Sequence, residues 1–213
     1  NLKVNLLRFE RVKNYEISKN FFNEKYFFST RSNFLKKNKC YKNKKLKNYI
    51  KILPLIKKSN YVIHLGSSTS FQNLMFSNHF KKKIFFQTDK SNKITIMNSR
   101  LFSNNHRIKV KKIDILDIPG LIKKYKFSKI LIYSETSMMY LPKEEVKNFL
   151  KKISKFTNVI VVFAEPGSNK NYSIINFKNA LIFEHNYLNL FKSTNFHYQK
   201  LFSKNNLFVA KNY

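Results

Sequence analysis

From residue 61 onward, short apolar runs alternate with longer amphipathic stretches. Tyr61-Val62-Ile63-His64-Leu65 is the first apolar run, and it stops at Gly66 and a polar turn, Ser67 to Ser70. A helix-like stretch from Phe71 to Phe80 leads to a second run, Ile84 to Thr88, which ends on Asp89. Apolar runs this short, bounded by turn residues, read as strands. Asn92 to Ser103 carries Ile94, Met97 and Leu101 at helical spacing, and Arg107 to Ile113 alternates apolar residues with lysines, as a third strand does. A short helix is predicted over Pro119 to Tyr125, a fourth strand over Lys129 to Tyr133 and a fifth over Asn158 to Phe163. Between those two strands, Lys143 to Phe156 is the clearest helix. Pro142 precedes it, Glu144 and Glu145 lie in its first turn and its end is lysine-rich, an arrangement that suits the helix dipole. A last helix, Phe183 to Ser193, precedes two strands, Phe196 to Phe202 and Asn206 to Ala210, which pair as an antiparallel hairpin at the sheet edge.

Strands alternating with helices give a parallel sheet wound on both faces. Five such units closed by a hairpin predict an α/β fold: a Rossmann-like, doubly wound, mostly parallel seven-stranded sheet with an antiparallel C-terminal hairpin. Residues 1 to 58 are a basic, glycine-free segment that reads as two or three helices, with Pro54 ending it. The chain therefore divides into a basic helical N-terminal appendage, 1–58, and a sheet domain, 59–213. A chain of 213 residues is long enough for one good core plus such an appendage.

Composition changes the picture of partners. The formal net charge is +31, yet only five of the 42 basic residues are arginines. The richness in Lys, Asn, Phe, Ile and Tyr matches AT-rich codons. Codon drift accounts for much of the lysine, but not for the scarcity of acids, because Glu also has AT-rich codons. A field of this sign draws polyanions, so RNA or a ribosomal particle is an expected partner class. The cluster from Lys36 to Lys47, interleaved with Cys40 and Tyr41, reads either as a solvated helix face or as a patch for nucleic acid or an acidic partner. Cys40 is the only cysteine, which excludes disulfide frameworks and cysteine metal sites. No apolar run approaches the roughly 20 residues needed to span a bilayer. An intracellular protein is expected, in the cytoplasm or in an organelle such as the mitochondrion.

Scarcity also marks individual residues. The only glycines are Gly66, Gly120 and Gly167, and the only aspartates are Asp89, Asp114 and Asp117. In a chain drifting away from both types, the survivors are candidates for tasks that fold or ligand imposes. A strand, a glycine turn, a helix and a strand ending on an acid is the order in which parallel sheets bind nucleosides. The glycine lets the backbone approach the ligand, and the acid can take two ribose hydroxyls. Asp117 also reads as a helix cap before Pro119. Glu135 can orient a substrate, act as a base or pair with a lysine. His64, inside a strand, reads as packed, and neither His185 nor His197 has a partner at metal-ligand spacing, so no metal site is expected. Tyr140 is a candidate for an acceptor pocket.

With these motifs in this order, the chain resembles the class I S-adenosylmethionine-dependent methyltransferases over about residues 60 to 213. Ile63-His64-Leu65-Gly66-Ser67 resembles the family's first motif, and Asp89 matches the acid at the end of strand two. Ile113-Asp114-Ile115 resembles the third motif, and Ser134 to Leu141 the segment after strand four. The resemblance implies S-adenosylmethionine as cofactor. Leu65, Gly66 and Ser67 would lie at its methionine part, Asp89 at the ribose hydroxyls, Asp114 and Ile115 at the adenine, and Ser134 at the transfer site. The implied activity is methyl transfer to an unidentified acceptor, with Glu135 as the candidate base if the acceptor must lose a proton. The first motif departs from the family's, which usually holds two or three glycines, by placing Ser67, Ser68 and Ser70 in the turn. Serine restricts φ and adds bulk. A second reading therefore stands beside the first: a catalytically degenerate, methyltransferase-like RNA-binding protein, such as an organellar ribosome-associated component. A dinucleotide-dependent oxidoreductase fits less well, because the turn lacks G-x-G-x-x-G.

Overall fold

The computed structural model describes residues 44–67, 72–167, 172–177, 180–200 and 207–212. Helix α1 (Lys44–Lys58) precedes β1 (Tyr61–Leu65), α2 (Gln72–His79), β2 (Ile84–Asp89), α3 (Asn92–Leu101) and β3 (Ile108–Lys112). A 3-10 turn at Ile115–Asp117 runs into α4 (Ile118–Tyr125), followed by β4 (Ile130–Glu135). A second 3-10 turn, Met138–Tyr140, leads to α5 (Lys143–Ile153) and β5 (Val159–Ala164). The chain ends in β6 (Tyr172–Phe177), β7 (Ala180–His185), α6 (Tyr187–Lys192), β8 (His197–Lys200) and β9 (Leu207–Asn212).

Seven strands form one sheet in the order β3-β2-β1-β4-β5-β9-β8, while β6 and β7 pair separately. Strands β1 to β5 run parallel, and β9 is the reversed strand, antiparallel to both β5 and β8. This is the predicted sheet with its closing hairpin. Because β1, β4 and β5 are covered on both faces, they read as nearly unbroken apolar runs. Alternate residues feed two cores. Ile63, Leu65, Ile132, Val161 and Phe163 face α4, α5 and α6, while Val62, Leu131, Ile160 and Val162 face α1 and α2. Helix α5 packs through Val146, Phe149, Leu150 and Ile153, one stripe at helical spacing.

Two sequence expectations are corrected. Pro54 does not end the N-terminal helix. It lies inside α1, which continues to Lys58. An interior proline costs a helix about 3 kcal/mol. Burying an aliphatic side chain contributes about 1.5–3 kcal/mol, and α1 buries Ile52, Leu55 and Ile56 against the sheet. Burial wins. The predicted helix from Phe183 also starts too early. Residues 180–185 are a strand, paired with β6 over the register Tyr172↔His185 to Phe177↔Ala180. The helix begins at Tyr187, where the Asn186 side chain caps it by accepting the Asn189 N–H at 3.1 Å. Residues 1–43, which hold most of the expected appendage and of the lysine cluster, lie outside the described residues.

The packing of α1 is open to a direct check. Ile56→Ala should lower the unfolding free energy by about 2–5 kcal/mol, read from urea denaturation as a shift of one cooperative transition. If α1 were an independent appendage, the main transition would stay where it is.

Candidate active site

All five parallel strands end at one edge of the sheet, and the residues singled out from the sequence collect there. Strand β1 stops at Gly66, whose φ of +53° lies in the left-handed region. Glycine is required here for a second reason. A Cβ on Gly66 would lie 2.5 Å from Ser137 Oγ and 2.7 Å from Ser137 Cβ, with Ile115 Cδ1 at 3.8 Å. Ser137 Oγ donates to the Gly66 carbonyl at 3.0 Å, so the segment after β4 is tied to the turn after β1. Next along the turn, the Ser67 N–H donates to the Thr88 carbonyl at 2.8 Å. Ser67 is buried, and its Oγ has no hydrogen-bond partner among the described residues. Ser68 to Ser70 lie outside the described residues. The Leu65 side chain is wholly in the core, so any ligand contact from this residue is a backbone contact.

Asp89 closes β2, and one of its carboxylate oxygens accepts the Ser91 N–H at 2.8 Å. That contact shapes the turn into α3, where Ser91 is in turn the N-cap. Asp114 caps the 3-10 turn after β3 through the Leu116 N–H at 3.1 Å. Its other oxygen pairs with Lys90 Nζ at 2.8 Å. Beside it, Ile115 is half-buried and packs against the core on the α4 side.

After β4 the chain turns sharply. Thr136 has φ +58°, an uncommon conformation for a β-branched residue. Strain of this kind costs about 1–3 kcal/mol and persists only where neighbours over-determine it. The neighbour that does so is Glu165, just beyond β5. Its Oε1 accepts the Ser137 N–H at 2.9 Å, the Met138 N–H at 3.0 Å and the Ser134 hydroxyl. Its Oε2 accepts the Met139 N–H at 3.3 Å. One buried carboxylate thus caps the 3-10 turn that no side chain of its own strand caps. Burial pushes the Glu165 carboxyl up from its ordinary 4.5 to about 7, against the downward pull of its four hydrogen bonds. A proton, when present, belongs on Oε2, the oxygen with fewer donors. Burial first, and the charge of Glu165 second, also raise the phenols of Tyr140 and Tyr187 above their usual value of 10.

Beneath this edge a buried polar chain links three strands to α2. His64 Nδ1 lies 2.8 Å from Tyr133 Oη, which donates to Asn73 Oδ1 at 2.9 Å. Asn73 Nδ2 then donates to Gln87 Oε1 at 3.3 Å. Since the Tyr133 proton goes to Asn73, His64 donates to the phenol from Nδ1. Burial holds His64 neutral, with its pKa near 3. Farther round, His185 Nε2 lies 2.9 Å from the Leu141 carbonyl, joining the β6–β7 hairpin to the segment after β4.

The structure therefore brings Gly66, Ser67, Ile115 and Ser137 together, with Asp89 and Asp114 at the ends of the next two strands. Glu135 ends β4, half-buried, and its carbonyl accepts the Thr136 hydroxyl at 2.7 Å. The Ser134 hydroxyl is committed to Glu165. Glu165 and Ser137 are absent from the sequence-based candidates. Glu165 had a signal: it is an acid in a chain with few acids, between a strand and Pro166-Gly167. Ser137 lay within the segment from Ser134 to Leu141 that the resemblance marked, but nothing in the sequence tells that this serine meets a glycine 71 residues away. Among the described residues no group of three or more His, Cys, Asp or Glu can hold a metal ion, and no helix is long and apolar enough to cross a membrane.

No protein-family model matches the sequence, and no curated protein matches it. Solved structures do. The chain is similar to the Burkholderia thailandensis 1,6-didemethyltoxoflavin-N1-methyltransferase solved with S-adenosylhomocysteine, at 10% identity and TM-score 0.59, covering 87% of this chain and 86% of that one. It is similar to a sugar N-methyltransferase, KedS8, from Streptoalloteichus sp, at 9% identity and TM-score 0.55, covering 76% and 84%. The human N-acetylserotonin methyltransferase solved with S-adenosylmethionine matches at 11% identity and TM-score 0.55 over 76% of this chain, which spans 50% of the human one. The chain has the fold of the class I S-adenosylmethionine-dependent methyltransferases.

The buried carboxylate generates two expectations. Glu165→Ala leaves two buried N–H groups and one half-buried one without their acceptor and should cost about 3–5 kcal/mol in urea denaturation, against about 1 kcal/mol for Ser134→Ala. The pH dependence follows from a folded pKa above the unfolded one. The contribution of Glu165 is full below about 4.5 and is lost as the pH rises through about 7. His64 and His185, lowered by burial from 6.5 to about 3 and about 4, act in the opposite sense and lose stability as the pH falls. Subtracting Glu165→Gln from the wild type isolates the carboxyl. That difference should shrink from about pH 5 to about pH 8. A difference that grows with pH would mean that the four donors, and not burial, set its ionisation.

Proposed function

We propose that this chain transfers a methyl group from S-adenosylmethionine to a nucleophilic acceptor. The observation that carries this reading is the placement of Gly66, Asp89 and Asp114 at the carboxyl ends of three neighbouring parallel strands. The residues fit the cofactor in kind. Gly66 offers a turn without a side chain, the buried Ser67 Oγ has no partner among the described residues, and two acids stand at successive strand ends. The compared enzymes bear out the cofactor class: two of them were solved with S-adenosylmethionine or S-adenosylhomocysteine.

When bound, the cofactor supplies a methyl group on a positively charged sulfur, open to in-line displacement. The chain supplies position and electrostatics. Asp89 would accept from the ribose hydroxyls while its bond to the Ser91 N–H keeps the carboxylate oriented. Asp114 would turn to the adenine amino group, releasing Lys90. That exchange costs little, because an ion pair with an exposed lysine is worth about 0–1 kcal/mol, and the Lys90 side chain is 55% exposed. Ile115 adds an apolar contact beside it. Gly66 and Ser67 would lie at the methionine end. Glu165, through Ser134 and three backbone N–H groups, holds in one shape the turn after β4, which would form the floor of the transfer site. Glu135, at the end of β4, would take a proton from an acceptor hydroxyl or amine that must lose one. The names of the compared enzymes give different acceptors, N-acetylserotonin, a sugar nitrogen and N1 of 1,6-didemethyltoxoflavin, so the fold does not select one.

One observation favours the second reading, a protein of this fold that has given up catalysis. The Ser67 N–H is already spent on Thr88, and Ser137 fills the space above Gly66. Calorimetric titration with S-adenosylmethionine and S-adenosylhomocysteine separates the two. We expect micromolar binding, weakened at least about tenfold by Asp89→Ala through loss of hydrogen bonds to a charged group. Absence of binding by the folded wild type would overturn the enzyme and leave the second reading.

A further inference from the structure

We infer that the outer edge of the sheet, formed by β3 and the carboxyl end of α4, is a docking surface for single-stranded RNA, with the Tyr125 ring as its stacking platform. Lysine is abundant over the whole chain, so lysines alone would select no site. The ring does. Tyr125 is 43% exposed at the last position of α4. Single exposed apolar side chains are ordinary, but this one is the outer member of a ladder. Its ring stacks on Phe127 at 5.3 Å and 16°, and Phe127 stacks on Tyr61 at 4.4 Å and 24°. Phe86 closes the ladder from below, 4.9 Å from Phe127 and 6.0 Å from Tyr125. The plane of an exposed ring is thereby fixed in advance, which lowers the entropy cost of placing a base on it.

The charge around the ring is of one sign. Lys111 Nζ and Lys124 Nζ lie 5.8 Å and 5.9 Å from the ring centroid. The register Phe86↔Lys109 puts Lys109 and Lys111 on the same face of the edge strand as Phe86, beneath Tyr125. Lys123 and Lys126 add exposed charge at the end of α4. Between Ser103 and Ser134 the only acids are Asp114 and Asp117, and both precede α4, at its opposite end. Edge lysines also prevent a strand from pairing with a neighbouring chain. That task accounts for Lys109 and Lys111, but not for a pre-stacked exposed tyrosine.

Ring and lysines together fit one partner chemistry. Phosphates would sit on the lysines, which read charge without sequence, and a base would stack on Tyr125, as bases of any type do on aromatic rings. A duplex offers only its phosphates to such a surface, because its bases are stacked on each other. Unpaired bases are the normal targets of RNA recognition, in loops and bulges. Arg107, at the start of the edge strand, is half-buried with its Nε shielded from solvent, so it presents no open fork for a bidentate contact to guanine and binding should be sequence-tolerant.

Fluorescence anisotropy with a labelled oligouridylate of about ten nucleotides tests this surface on the full chain. We expect Tyr125→Ala to weaken binding about tenfold and Tyr125→Phe to preserve it. Lys111→Gln and Lys124→Gln should each reduce the slope of log affinity against log salt by about 0.7. Thermal unfolding of the same variants checks that they fold, and their S-adenosylhomocysteine binding is followed in parallel, so failure of the cofactor reading and failure of this one are seen separately. Binding by Tyr125→Ala within about twofold of the wild type would overturn the proposal. So would equal competition, charge for charge, by duplex RNA or by polyphosphate.

Discussion

A carboxylate taken out of water must be met by donors, and the demand of one such group organises the carboxyl edge of this sheet. Glu165 gathers the hydroxyl at the end of β4 and the first three N–H groups of the turn beyond it. That turn places Ser137 against Gly66, and Gly66 fixes the start of the loop that leads to α2. Three connections separated by up to a hundred residues are thus held by one side chain. The arrangement also explains why Thr136 can hold a left-handed conformation. Its strain is local, while the hydrogen bonds that enforce it come from both sides.

The same logic runs at lower intensity beneath the edge. His64, Tyr133, Asn73 and Gln87 form a polar chain inside an otherwise apolar layer. Each link is directional, so the chain fixes the register of β1, β2 and β4 with α2 in a way that aliphatic packing does not. Apolar contacts set how tightly the layers close, and these few polar contacts set where the strand ends fall relative to one another.

Periodicity made the sheet legible, since strands buried on both faces leave unbroken apolar runs such as Val159 to Phe163. The glycine turn and the acids at strand ends were legible because Gly and Asp are scarce in this chain. What stayed hidden depends on contacts between distant segments. Local rules make Pro54 a stop, whereas the burial of Ile52, Leu55 and Ile56 overrides the rule. The apolar run around Phe183 is of a length that suits either helix or strand. The strand partner, Tyr172 to Phe177, decides the matter. Glu165 carries a strand-end signal, but its role comes from N–H groups 26 to 28 residues earlier.

The reversed strand has a consequence for the order in which the molecule can be made. Strand β5 is wholly apolar from Val159 to Ala164, and among the described residues its outer edge pairs with β9 (Leu207–Asn212). While the chain is being synthesised, that edge stands open for every residue added after Ala164 until Leu207 to Asn212 has emerged. An unpaired apolar strand is a template for association with other chains. The fold therefore leaves an apolar edge open across more than forty residues of chain, and the β5 side of the sheet closes only when Leu207 to Asn212 is in place, whatever has folded before it.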